Sequence, residues 1–159
     1  MAQRRQTLKP AATVFLDSSV LFTAVNSPTG GSAKLFTLSQ VKLLTSPLVL
    51  AEVERNIHKK LQSYHLQRFF KLVSKIKILD QEPDDRLIRQ TQKIIVKKDA
   101  VILAEAKNSK ADFLVTLDKK HFLKDSVRKF LSPQKILTPK DLLTLGSDPK
   151  GRKPALAKQ

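Results

Sequence analysis

Four carboxylates in this 159-residue chain stand where they could do chemistry. Asp17 closes the apolar run "TVFLD" and Asp118 closes "DFLVTLD". Asp99 opens "DAVILAEA", and Glu52 lies in "SPLVLAEVERNI" beside Leu50, Ala51 and Val53. An unpaired acid among strand-forming residues is costly to bury. Several acids within a few ångströms raise one another's pKa unless a cation offsets them. The chain has no cysteine and only three histidines, so a thiolate zinc site is excluded. The cation that suits carboxylates is hard, Mg²⁺ or Mn²⁺, which prefer carboxylate and water oxygens. Two such ions about 3.5–4 Å apart can activate water and stabilise a leaving oxygen in phosphodiester cleavage. Each acid also has a plainer reading. Asp99 would cap the helix it opens, Asp118 could open the next helix, and Glu52 could face solvent, with Glu54 competing for its role. Asp112 precedes its strand, belongs at the opposite edge, and is left out.

The elements around these acids are expected to bring them together. Five segments rich in Val, Ile, Leu and Phe read as strands: 13–17, 41–46, 75–79, 112–118 and 134–138. Helical patterns separate them. "SPLVLAEVERNIHKKLQ" has Ser46 as N-cap and Pro47 at its first position, and "TPKDLLTLG" has Thr138 and Pro139 in the same places. Strands alternating with helices imply parallel strands joined by right-handed crossovers. Runs such as "VFL" and "FLV" are apolar without alternation, as strands covered on both faces must be. The expected class is α/β, a three-layer α/β/α arrangement with a central parallel sheet of about five strands. Ligands of such sheets collect at the carboxyl ends of the strands. That edge is where Asp17 and Asp118 would emerge, with Asp99 and Glu52 nearby.

Composition bounds the rest. Hydrophobic residues make up 41% and charged residues 28%, a globular balance with enough length for one domain. Residues 12–146 read as that domain, and 1–11 and 147–159 read as flexible basic tails. The formal charge is +16; Arg4, Arg5 and Lys9 carry +3, and Lys150, Arg152, Lys153 and Lys158 carry +4, leaving +9 on residues 11–149. A positive body attracts polyanions, nucleic acid first among them. The basic start lacks a long apolar run or a cleavage site, and no stretch of about 20 apolar residues exists. A cytoplasmic location without membrane contact is the expectation. His58 and His65, seven apart, would share a face only on a continuous helix, and most of the eight Phe are expected in the core.

The segments "VFLDSSVLFTAV", "LTSPLVLAEVERNI", "DAVILAEAKNSKADFLVTLDKKHF" and "KILTPKDLL", in this order, resemble the PIN-domain family of metal-dependent ribonucleases, over about residues 12–145. The resemblance implies that Asp17, Glu52, Asp99 and Asp118 are the catalytic acids. Asp17, Asp99 and Asp118 would hold Mg²⁺ or Mn²⁺, and Ser19 and Thr116 would hydrogen-bond them. Two departures stand out: Ser19 replaces the Asn common two positions after the first acid, and Leu117 replaces the Gly common before the last. The activity implied is hydrolysis of RNA by an endoribonuclease, plausibly the toxin of a type II toxin–antitoxin pair that forms a homodimer and is silenced by a small antitoxin protein. Lys97 and Lys98 before Asp99, and Lys119, Lys120 and His121 after Asp118, are expected phosphate contacts. A noncatalytic nucleic-acid-binding module on the same fold is the alternative. An unrelated doubly wound phosphatase or receiver domain is disfavoured. The first usually has an Asp where Ser19 stands, and the second needs paired acids ahead of its strand-end Asp.

Overall fold

The structure, a computed structural model, describes residues 12–146. The tails expected at 1–11 and 147–159 lie outside the described residues. Five strands form one parallel sheet: β1 (Ala12–Leu16), β2 (Val41–Thr45), β3 (Lys77–Ile78), β4 (Phe113–Val115) and β5 (Lys135–Leu137), in the order β3-β2-β1-β4-β5. β1 is central; its Val14, Phe15 and Leu16 are fully buried between β2 and β4. From β1 the chain moves outward one way through β2 and β3, then returns and moves the other way through β4 and β5. With right-handed crossovers, the two directions place their helices on opposite faces of the sheet. The class is the three-layer α/β/α arrangement expected.

The helices are α1 (Ser18–Asn26), α2 (Gly31–Lys34), α3 (Pro47–Lys60), α4 (His65–Val73), α5 (Asp85–Gln92), α6 (Lys97–Ser109), α7 (Lys119–Phe122), α8 (Asp125–Leu131) and α9 (Pro139–Gly146), with a 3₁₀ turn at Leu35–Thr37. Ser46 caps α3 as expected: its Oγ accepts the Val49 N–H at 3.1 Å. The same hydroxyl donates to Glu105 Oε1 of α6 at 2.7 Å. Both residues are buried, so this bond fixes the start of α3 against the middle of α6. Thr138 and Asp141 form a reciprocal cap at α9.

Two expectations need adjustment, and one condition is not met. Asp99 is not the cap of α6; the helix begins two residues earlier, after Val96, whose extended backbone provides no side-chain cap. Asp99 therefore lies inside the first turn. His58 and His65 occupy different helices, because the chain breaks between α3 and α4. The segment "KKHFLKDSVRKFL", whose pattern reads as one helix, folds as two short ones, α7 and α8. Of the Phe residues, Phe15, Phe36, Phe69 and Phe122 are buried and Phe70 is exposed. Among the described residues no helix is long and apolar enough to cross a membrane.

Candidate metal centre

Asp17 follows β1 directly and caps α1. Its backbone N–H donates to Val115 O of β4 at 3.1 Å, which draws the end of β1 against the end of β4. The carboxylate is 3% exposed and accepts three hydrogen bonds. Oδ1 accepts the Ser18 N–H at 2.8 Å; Oδ2 accepts Ser19 Oγ at 2.8 Å and Thr116 Oγ1 at 2.7 Å. Burial raises the Asp17 pKa and outweighs these three donors, and the charge of Glu52 adds to the rise. Glu52, half-buried on α3, accepts the Ser18 hydroxyl at 2.5 Å. Ser18 thus links the two acids, its N–H donating to Asp17 and its hydroxyl to Glu52.

The hydroxyls that hold Asp17 also shape the loop after β4. Ser19 Oγ accepts the Leu117 N–H at 3.1 Å, and Thr116 Oγ1 accepts the Asp118 N–H at 3.0 Å. Asp118 lies three residues beyond Val115, at the cap of α7 rather than on the strand. Its Oδ1 accepts the His121 N–H at 3.1 Å, and its Oδ2 lies 2.8 Å from His121 Nδ1. Because the atoms facing Nδ1 are carboxylate oxygens, which only accept, Nδ1 carries the hydrogen and donates. Burial raises the Asp118 pKa, but the His121 ring and backbone donors, with Lys98, hold it below its ordinary value.

Asp99 differs from both. Its Oδ2 is buried with no hydrogen-bond partner, 3.6 Å from His121 Nδ1. Burial, followed by the charges of Asp17 and Asp118, pushes its pKa up to about 6, against the pull of Lys98 and His121. One ligand atom each from Asp99, Asp118 and His121 lies within 4.8 Å of the others. An orphaned carboxylate oxygen beside a second carboxylate, with a third acid acting on it by charge, suits a hard divalent cation. The residues present fit such an ion.

Asp17, Asp99 and Asp118 are therefore brought to one edge, with Glu52 joined to them through Ser18. Lys97, Lys98, Lys119 and Lys120 are exposed at the starts of α6 and α7, and the charge of Lys98 acts on Asp99 and Asp118. His121, expected as a phosphate contact, turns its Nδ1 to Asp118. Sequence reasoning missed this and missed Ser18. The Asp118–His121 spacing of three at a helix start was the available signal; Ser18 offered none. Asp112 is at the far edge, where its Oδ2 accepts the Thr13 N–H at 2.9 Å.

A family model described as PIN domain matches residues 14–125. No relative among curated proteins matches. Among solved structures, the chain is similar to VapBC2 from Rickettsia felis, solved bound to a DNA fragment from their promoter. The TM-score is 0.59 at 20% identity, covering 79% of this chain and 96% of that one. It is also similar to PAE2754 from Pyrobaculum aerophilum, with a TM-score of 0.58 at 16% identity, covering 86% and 96%. At these identities the likeness concerns the fold.

Proposed function

The chain belongs to the PIN domain family, and from that premise we propose that it is a divalent-metal-dependent endoribonuclease that hydrolyses RNA phosphodiester bonds. One observation carries the reading: the buried, unpartnered Oδ2 of Asp99 beside Asp118 and His121. Family membership without such a site would be equally compatible with a noncatalytic module.

Asp99 and Asp118 would hold Mg²⁺ or Mn²⁺, with Asp17 contributing directly or through water. A bound ion of this kind supplies positive charge to a phosphoryl oxygen and lowers the pKa of water. Ser19 and Thr116 keep the Asp17 carboxylate oriented, and Glu52 completes the acidic rim through Ser18. An acidic centre repels a phosphate backbone, so neighbouring cations must hold the substrate. Lys97, Lys98, Lys119 and Lys120 flank Asp99 and Asp118 and take that role. The reading extends to partners: a small protein antitoxin and a homodimer, as family resemblance suggests. The fold neighbour VapBC2 was solved on promoter DNA, which supports looking for a partner encoded beside this chain.

The test is induced expression of wild type and Asp17→Asn, followed by sequencing of RNA ends. New ends in wild type alone are expected. Identical profiles would overturn the ribonuclease reading in favour of a noncatalytic nucleic-acid-binding module.

A further inference from the structure

Strand β5 is the outermost strand on the β4 side of the sheet. An open groove of about 340 Å³ runs along it, lined by Arg128, Lys129, Lys135 and Asp141 among others. A neighbouring depression of about 660 Å³ shares Pro133 and Gln134 with it and adds Lys107, Lys110 and Asp112. Five cations thus face two acids, and both acids are already engaged. Asp112 accepts from Thr13 N and Oγ1, and Asp141 accepts the Thr138 N–H at 3.3 Å. Lys107 is partly committed, donating to Phe130 O at 2.7 Å. Arg128 and Lys129 are exposed and enter no ion pair among the described residues.

The path of the groove matters as much as its charge. It begins near Lys110 and Pro133, by the entry ends of β4 and β5, and reaches Leu137 at the carboxyl end of β5. The Leu137 carbonyl accepts the Thr116 N–H at 3.0 Å, and the Thr116 hydroxyl holds Asp17. One strand therefore separates the end of the groove from the acidic centre. Among the described residues neither depression is lined by an aromatic ring, which suits phosphates better than stacked bases.

We infer that this β5-edge groove carries the phosphodiester backbone of single-stranded RNA toward the acidic centre; the inference rests on the ribonuclease reading above. Binding along it is independent of base sequence and sensitive to salt. Arg128 and Lys129 are the contacts to test, because their side chains are exposed and enter no ion pair among the described residues.

The experiment measures binding of a labelled single-stranded RNA of about 20 nucleotides to the full chain, in EDTA, across a range of KCl concentrations. Arg128→Glu/Lys129→Glu is compared with Lys71→Glu/Lys75→Glu, an equal charge change near the β3 edge. Arg128→Gln/Lys129→Gln serves as the milder pair should the first fold poorly. Each lost phosphate contact lowers the salt slope by about 0.7 on single strands, so the groove pair is expected to lose about 1.4 and the β3-edge pair nothing comparable. Equal losses from both pairs, or none from the groove pair, would overturn the inference. Poly-glutamate binding as tightly as RNA would also overturn it, in favour of an acidic protein partner. Cleavage in Mn²⁺ is followed in parallel. If wild type never cleaves, the ribonuclease reading falls, while the slope difference still supports an RNA groove. If wild type cleaves and the groove pair behaves like it, the groove alone fails.

Discussion

The Thr116 hydroxyl meets the Asp17 carboxylate at 2.7 Å across ninety-nine residues of sequence. The same oxygen accepts the Asp118 N–H at 3.0 Å, so one fully buried side chain orients two of the three clustered aspartates. Parallel pairing of β1 with β4 makes this possible. Leu16 lies beside Val115 in register, and the next residues on both strands leave the sheet side by side.

Thr116→Val removes that hydroxyl while keeping the branched shape. It leaves a buried carboxylate short of a donor, and the expected loss of stability is about 1–3 kcal/mol. Thr116→Ser keeps the donor and is expected to lose less. Urea denaturation of both variants in chelator checks this; equal stabilities would show that the hydroxyl contributes nothing.

Asp99→Asn is expected to stabilise the ion-free protein at alkaline pH. The Asp99 pKa rises from 3.8 to about 6 on folding, so the native state holds the proton more tightly than the unfolded chain. Stability tied to this group is present below about pH 4 and is lost as pH climbs through about 6. Roughly two pKa units correspond to about 3 kcal/mol. The variant should therefore melt higher than wild type at about pH 8 in EDTA, and the difference should shrink toward about pH 4.

Divalent ions and protons compete for the same carboxylate. Mn²⁺ affinity, followed by water-proton relaxation, should strengthen as pH rises through about 6 and flatten above about 7. Calorimetry in buffers of different ionisation enthalpy should register proton release on binding at acid pH and almost none at alkaline pH. Affinity that is flat between these limits would place the ion elsewhere.

Ser46→Ala removes the cap of α3 and the hydroxyl that donates to Glu105. Cap loss costs about 1 kcal/mol, and a buried acceptor left unpaired costs about 1–3 kcal/mol more. Glu105→Gln keeps an acceptor for Ser46. Burial already raises the Glu105 pKa, so the neutral variant should lose less than Ser46→Ala. Chemical denaturation near neutral pH separates the two.

Much of this architecture was legible in the residues. The unalternating runs of β1 and β4 gave buried parallel strands, and the rule that ligands gather at strand carboxyl ends located Asp17 and Asp118. Ser46-Pro47 and Thr138-Pro139 announced their helices, because a cap followed by proline has few other conformations. Asp99 was harder. Its helix starts after Val96, a residue with no capping chemistry, so only the neighbouring backbone reveals that the acid sits within the first turn. His121 was harder still. A lysine-rich stretch suggested solvent-facing contacts, and only the short α7 turns the imidazole back onto Asp118. Ser18 carried no signal in the sequence, yet it is the link to Glu52. In each case a tertiary partner decided the role, and local pattern could not supply it.

The central position of β1 has a bearing on biosynthesis. On the ribosome β1 is made first, and β2 can join it about thirty residues later, but the flank reserved for β4 stays open until residue 115 has been translated. Asp17 and Glu52 are in place long before Asp99 and Asp118 exist. A nascent chain therefore carries half of the acidic edge and none of its assembled form. Whatever that edge does begins only once β4 and Asp118 have joined β1.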